Sequence, residues 1–202
     1  MKSVLISIRP QWCEKIASGK KTIEVRKSAP KETPFKAYIY CTKDKPYLYR
    51  IDDDNNFELT NTLRPKTYEY VKDYNEQNGK VIGEFICDKV YSIKNQGSRF
   101  VVANEEQGVT NEIALKSCLN YDDMVNYLGD KDGYGWHIAD LKIYDKPKEL
   151  SEFRPICKFE GKDLICNLCP NHEYNGGLFF ECRRKVTCPP QSYMRVEELK
   201  EV

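Results

Sequence analysis

Lys21, Glu24 and Arg26 stand within six residues of each other, in the octapeptide Gly19-Lys20-Lys21-Thr22-Ile23-Glu24-Val25-Arg26. Thr22 to Arg26 alternates apolar and polar residues with period two, the signature of a half-buried strand. Ile23 and Val25 share one face; Thr22, Glu24 and Arg26 share the other. A carboxylate set among two cations holds their side chains in place, and such a cluster suits a phosphate or a polar base edge. The plain alternative is a structural Glu–Arg ion pair at a strand edge. Lys21 is not needed for that pair, which tilts the reading toward a site. Arg9 and Ser7 share one face of the preceding strand, which makes Arg9 a candidate anion contact.

The second chemical cluster is near the C-terminal end. Nine cysteines are present, five of them in the last 46 residues. Cys166 and Cys169 have the C-x2-C spacing of a zinc knuckle, and Cys182 and Cys188 supply two further soft ligands at wider spacing. Cys157 and His172 are spare candidates. Structural zinc is therefore the cofactor expected here, because so short a segment cannot build its own core. Small buried thiols are the alternative.

These residues sit on elements that the pattern predicts in turn. Val4–Ile8 reads as a buried strand. Pro10 suits the first turn of a helix that ends near Gly19. Ala37–Cys41 is a further strand, and Tyr47–Arg50 with Phe57–Leu59 reads as a hairpin around an acidic turn. Val81–Ile93 is a long strand with Gly83 as a bulge. Thr110–Leu119 and Tyr121–Leu128 read as short helices that start near Asn120 or Asp122 in the second case. Gly135–Tyr144 is a last strand that Pro147 ends. Trp136 and His137 alternate on it, so one points inward and the other outward. Trp12, Tyr38, Tyr40, Tyr134 and Trp136 are rings that a stacked base could use, although a ring on a small barrel is more often core.

Composition bounds the function. The chain has 202 residues, 32 Lys and Arg, and 31 Asp and Glu, for a net charge of +1. A polycation that grips nucleic acid over its whole surface is excluded, but a local basic face is not. Residues 1–27 hold seven Lys and Arg against two Glu, whereas residues 100–130 hold six carboxylates against one Lys. No apolar run approaches the ~20 residues of a membrane helix, so no membrane partner is expected. The N-terminus reaches Arg9 without a long apolar stretch, so no signal peptide is read there and the expected location is cytoplasmic.

The octapeptide fits G-x-K-x-x-E-x-R and follows Ser7-Ile8-Arg9-Pro10 and a short helix. Together with Lys36–Cys41, Gly79–Asp88 and Tyr134–Pro147, it resembles the ASCH (activating signal cointegrator homology) domain. The resemblance implies an α+β fold of PUA-like type, a small mixed β-barrel with short inserted helices, over residues 1–150. Residues 151–202 then form a Cys-rich C-terminal extension.

The resemblance also implies RNA or modified-nucleotide binding, with Arg9, Trp12, Lys21, Glu24, Arg26 and Trp136 as binding residues. Some ASCH proteins are nucleoside amidohydrolases and others are linked to RNA cleavage. In an enzyme of either kind, Lys21 and Glu24 are the catalytic candidates. Glu24 stands where the amidohydrolases carry a nucleophilic threonine, a departure from their pattern. A third reading is a protein-interaction or regulatory module that uses the acidic segment 100–130, including Glu105 and Glu106.

Overall fold

The structure is a computed structural model. It describes residues 1–43, 48–51, 57–60, 78–97, 100–102, 109–156, 172–174, 180–182 and 184–199. At 48–51, 57–60, 102, 109–112, 172–174 and 180–182 it describes the backbone alone.

Chain order sets the frame. Strand β1 (Ser3–Ile8) leads into helix α1 (Pro10–Ala17), then β2 (Ile23–Arg26) and β3 (Phe35–Cys41). The hairpin β4 (Leu48–Ile51) and β5 (Phe57–Thr60) follows, with Arg50 opposite Glu58. Its expected acidic turn lies outside the described residues. Next come β6 (Val81–Cys87), β7 (Val90–Asn95) and β8 (Phe100–Val102). Helices α2 (Val109–Ser117) and α3 (Tyr121–Leu128) precede β9 (Gly133–His137) and β10 (Ala139–Lys148). A 3-10 turn (Leu150–Glu152), the short pair β11 (His172–Tyr174) and β12 (Phe180–Cys182), and β13 (Tyr193–Val196) complete the order.

The local signals act where expected. Pro10 occupies the first turn of α1, where its missing N–H costs nothing. Gly19 follows the helix with φ of +73°, a conformation that a side chain would strain. Asn120 caps α3 in a reciprocal capping box with Asp123. Gly83 marks a register irregularity in the β3–β6 ladder. A Cβ on Gly83 would lie 2.5 Å from the Lys142 carbonyl oxygen, so only glycine lets β10 approach.

The expected barrel is corrected. Among the described residues, the strands form two principal sheets, ordered β10-β6-β3-β1-β13 and β2-β9-β7-β8, with no closed barrel. The reason lies in two strands that read as continuous in sequence. The expected strand Val81–Ile93 breaks at Asp88-Lys89 into β6 and β7, and the expected strand Gly135–Tyr144 breaks at Ile138 into β9 and β10. Both strands of one antiparallel pair thus change sheets at the same corner, where Ala139 pairs with Ile86 and Val90 with Trp136. The corner joins the sheets on one side. On the other side, no backbone ladder joins β2 to β1 or β13. Pro147 does not end β10 either, because β10 is an edge strand and needs no N–H there.

Trp136 fills the space between the sheets. It is 0 % exposed and packs edge-on against Phe35 and Tyr193, with ring centroids 5.0 and 5.3 Å away. His137 points outward and pairs with Asp88 at 2.6 Å. The chain near the C-terminus shares the core: Phe153, Val186 and Val196 pack with Leu5 and Tyr38. β13 pairs antiparallel with β1. No described helix is long and apolar enough to cross a membrane.

Two core thiols make the fold sensitive to alkali. Burial pushes the Cys87 thiol from 9.0 up to about 12. Contact with the Cys41 thiol, together with burial, pushes Cys13 upward as well. The folded chain therefore holds these protons more tightly than the unfolded chain. Their contribution is complete below the unfolded thiol pKa and is lost as pH rises from there toward 12. Equilibrium urea unfolding at about pH 8 and about pH 10.5 is expected to show this loss, and Cys87→Ala should reduce it. A wild-type stability that stays level across that interval would refute the assignment.

Candidate functional site

The motif strand lies at the open side of the two sheets. Ile23 and Val25 pack into the apolar cluster under α2 and α3. Period two then turns Glu24 and Arg26 to the opposite face. Both are nearly buried, at 7 % and 4 % exposure, and Lys21 is 2 % exposed.

The three charges form one chain of contacts. Glu24 Oε2 is 3.3 Å from Lys21 Nζ, and Oε1 is 3.0 Å from Arg26 Nη2. Lys21 Nζ also donates to the Ser117 carbonyl oxygen at 2.6 Å, at the C-terminal end of α2 where the helix dipole favours a cation. The Thr22 amide donates to the Lys116 carbonyl oxygen at 2.8 Å, so the end of α2 is tied to the start of β2 twice.

Arg26 spans the gap that the backbone leaves open. Its Nη2 donates to the Ser7 carbonyl oxygen at 2.6 Å, and its Nη1 to that of Ser192 at 3.4 Å. Ser7 in turn holds the C-terminal segment: its amide donates to Ser192 O at 3.3 Å and its hydroxyl to Pro190 O at 2.6 Å. The guanidinium thus ties the edge strand β2 to the β1–β13 side of the other sheet by side-chain hydrogen bonds alone. Among the described residues its buried Nε has no hydrogen-bond partner.

Above this floor opens a cleft of about 520 Å³. That is within the ~300–1,000 Å³ typical of small-ligand sites. Three cations line it (Arg9, Lys21 and Arg26) with two carboxylates (Glu24 and Asp123), two aromatic rings (Trp12 and Tyr127) and the amides of Gln11, Asn126 and Gln191. Trp12, half-buried on α1, has the Lys15 and Lys21 ammonium groups 4.7 and 5.3 Å from its ring centroid. Burial pushes the Tyr127 phenol above its ordinary value, while the Arg26 guanidinium beside it acts in the opposite direction.

This chain is similar in structure to ASCH from Zymomonas mobilis. The likeness covers 98% of this chain and 89% of that one, at 16% identity and a TM-score of 0.46. A tyrosine-to-phenylalanine variant of the same protein matches with equal identity and score over 92% of its length. No protein-family model and no curated protein sequence matches. At this level of likeness, function has to be read from the cleft itself.

Of the residues expected at a site, Arg9, Trp12, Lys21, Glu24 and Arg26 all line this cleft. Trp136 does not. Its buried place between the sheets corrects its reading as a binding residue. Asp123, Asn126 and Tyr127 escape the sequence reading, although their spacing puts them on one face of α3. Gln191 escapes it because nothing local indicates that its segment returns to β1.

Cys166 and Cys169 lie outside the described residues, as do Glu105 and Glu106. Only the backbone of Cys182 is described, and Cys188 is an exposed free thiol. Among the described residues, no cluster of His, Cys, Asp and Glu could hold a metal ion.

Glu24 is the keystone of the charged floor. Glu24→Ala leaves two buried cations facing each other and should cost about 3–5 kcal/mol in urea unfolding at neutral pH. Glu24→Gln keeps one acceptor oxygen and should cost less. A loss under about 1 kcal/mol for Glu24→Ala would mean that water replaces the carboxylate without penalty.

Proposed function

We propose that the cleft binds RNA, taking one nucleotide between the Trp12 and Tyr127 walls and over the Lys21–Glu24–Arg26 floor. The observation that carries this reading is the buried floor itself. One carboxylate is shared by two cations, so the floor has a residual positive charge beneath a pocket of nucleotide size. A desolvated cation pair of this kind favours an anionic group, and the flanking rings offer sequence-tolerant stacking. The three amides each supply a donor and an acceptor for base edges.

Binding is favoured over turnover by how the candidate catalytic groups are engaged. Lys21 Nζ is buried and already bonded to Ser117 O and Glu24. Each oxygen of Glu24 already faces a cation, one Lys21 and the other Arg26. A role for Lys21 in a nucleoside amidohydrolase or a ribonuclease would fall to the one ammonium proton that these two contacts leave.

The test is a titration of single-stranded RNA at low salt, followed by tryptophan fluorescence. Trp12 lines the cleft and Trp136 is fully buried, so a ligand-induced change reports Trp12. Trp12→Ala removes that reporter, so its binding is followed by the anisotropy of end-labelled RNA, and it should weaken by about 1–3 kcal/mol, roughly five- to 150-fold. Arg9→Ala, an exposed change that leaves the fold intact, should reduce the salt slope by about 0.7. RNA should be recovered unaltered after long incubation. Failure of the wild-type protein to retain RNA at low salt would end this reading, and a product abolished by Lys21→Ala would replace it with an enzyme.

A further inference from the structure

A second cleft, of about 560 Å³, adjoins the first. Its walls come from Tyr40, Thr42, Lys43 and Gly79 on one side, and from Glu149–Ser151, Val186, Thr187 and Pro189 on the other. Thr42 lines both clefts. The C-terminal segment also borders both, through Pro189 in the second and Gln191 in the first. The two cavities therefore meet at a ridge made of Thr42 and the Pro189–Gln191 backbone.

That ridge is firmly held. The Thr42 amide donates to Ile8 O at 2.9 Å, and Gly79 N donates to the Cys41 carbonyl oxygen at 2.8 Å. Across from them, Pro190 O is bound by the Ser7 hydroxyl. Lys43 lies beside the ridge. Gly79, at φ +84°, leaves the space into which the Lys43 stem packs; a Cβ there would be 2.7 Å from Lys43 Cε. Lys43 is exposed, so its stem is placed while its ammonium stays in water. The exposed pair Arg184 and Lys185 leads directly into the wall residues Val186 and Thr187. Lys80 adds a further cation, paired with Glu149 at 3.5 Å.

We propose that the second cleft is a subsite for the adjoining nucleotide of a single RNA strand, with the linking phosphate crossing the ridge toward Lys43. This rests on the nucleotide reading of the first cleft and extends it: the preferred ligand is an oligonucleotide and not a free nucleotide. A phosphate that crosses between two cavities needs a cation beside the crossing, and Lys43 is the cleft-lining lysine next to Thr42. A single strand suits the shared wall, because two cavities that share Thr42 lie close enough for consecutive units of one chain.

Length-dependent binding tests it. The probes are the four ribonucleoside 5′-monophosphates and mixed-sequence tetranucleotide RNA, each titrated against wild type and Lys43→Ala. The tetranucleotide should bind wild type roughly tenfold more tightly than the best monophosphate, as one charged contact of about 1.5 kcal/mol implies. Lys43→Ala should remove most of that gain and lower the tetranucleotide's salt slope by about 0.7, leaving monophosphate affinity unchanged. The unchanged monophosphate affinity also certifies the variant's fold. If a monophosphate binds but added length gains nothing, the subsite is refuted and the first cleft stands. If Lys43→Ala weakens monophosphate and tetranucleotide equally, the subsite is likewise refuted. If neither probe binds wild type, the nucleotide reading fails and takes the subsite with it.

Discussion

Everything at the site depends on one gap in hydrogen bonding. Two sheets meet at a corner where β6 runs into β7 and β9 into β10. On the far side, β2 and β1 leave no ladder between them. Unpaired strand edges are costly when they are sheltered from water. From the edge strand β2, Arg26 reaches the carbonyls of Ser7 and Ser192 on the β1–β13 side with one planar fork. Its own burial is made tolerable by Glu24, and Glu24 is balanced further by Lys21. The charged triad is thus a fastening between sheets before it is anything else.

The same gap explains why a cleft is there. A backbone ladder would have closed the space; a side-chain bridge leaves room above it. Helices α1 and α3 stand at its sides and contribute Trp12 and Tyr127, and the segment before β13 supplies Gln191. Arg26 and Glu24 therefore both fasten the sheets and line the cleft. Arg9, Trp12 and Tyr127 line the cleft without bridging the two sheets.

Much of this was legible in the residues. Period-two alternation identified which face of β2 carries Glu24 and Arg26, and Pro10 and Gly19 bounded α1 closely. The joint presence of Arg9, Trp12, Lys21, Glu24 and Arg26 at one cleft follows from their nearness in sequence, since β1, α1 and β2 are consecutive. The barrel expectation failed because a strand that changes sheets keeps its alternation through the bend. Val81–Ile93 and Gly135–Tyr144 look the same whether they stay in one sheet or cross between two. Trp136 failed for a related reason: an alternating ring has an inner and an outer face, and alternation does not say which cavity the inner face meets.

By itself, the amino-acid sequence determined the local elements, the face of each strand and the crowding of three opposite charges into one turn and strand. Those are short-range properties, set by backbone sterics, side-chain period and capping chemistry within a few residues. Only the tertiary structure decided that Lys21 ends on the carbonyl of Ser117, that Arg26 reaches from β2 to the carbonyl of Ser7 on the other sheet, and that a segment some 180 residues later returns to β1 and walls the cleft. Such contacts arise from long-range burial, where the demand of each sheltered polar group for a partner selects among many arrangements that the local pattern permits equally.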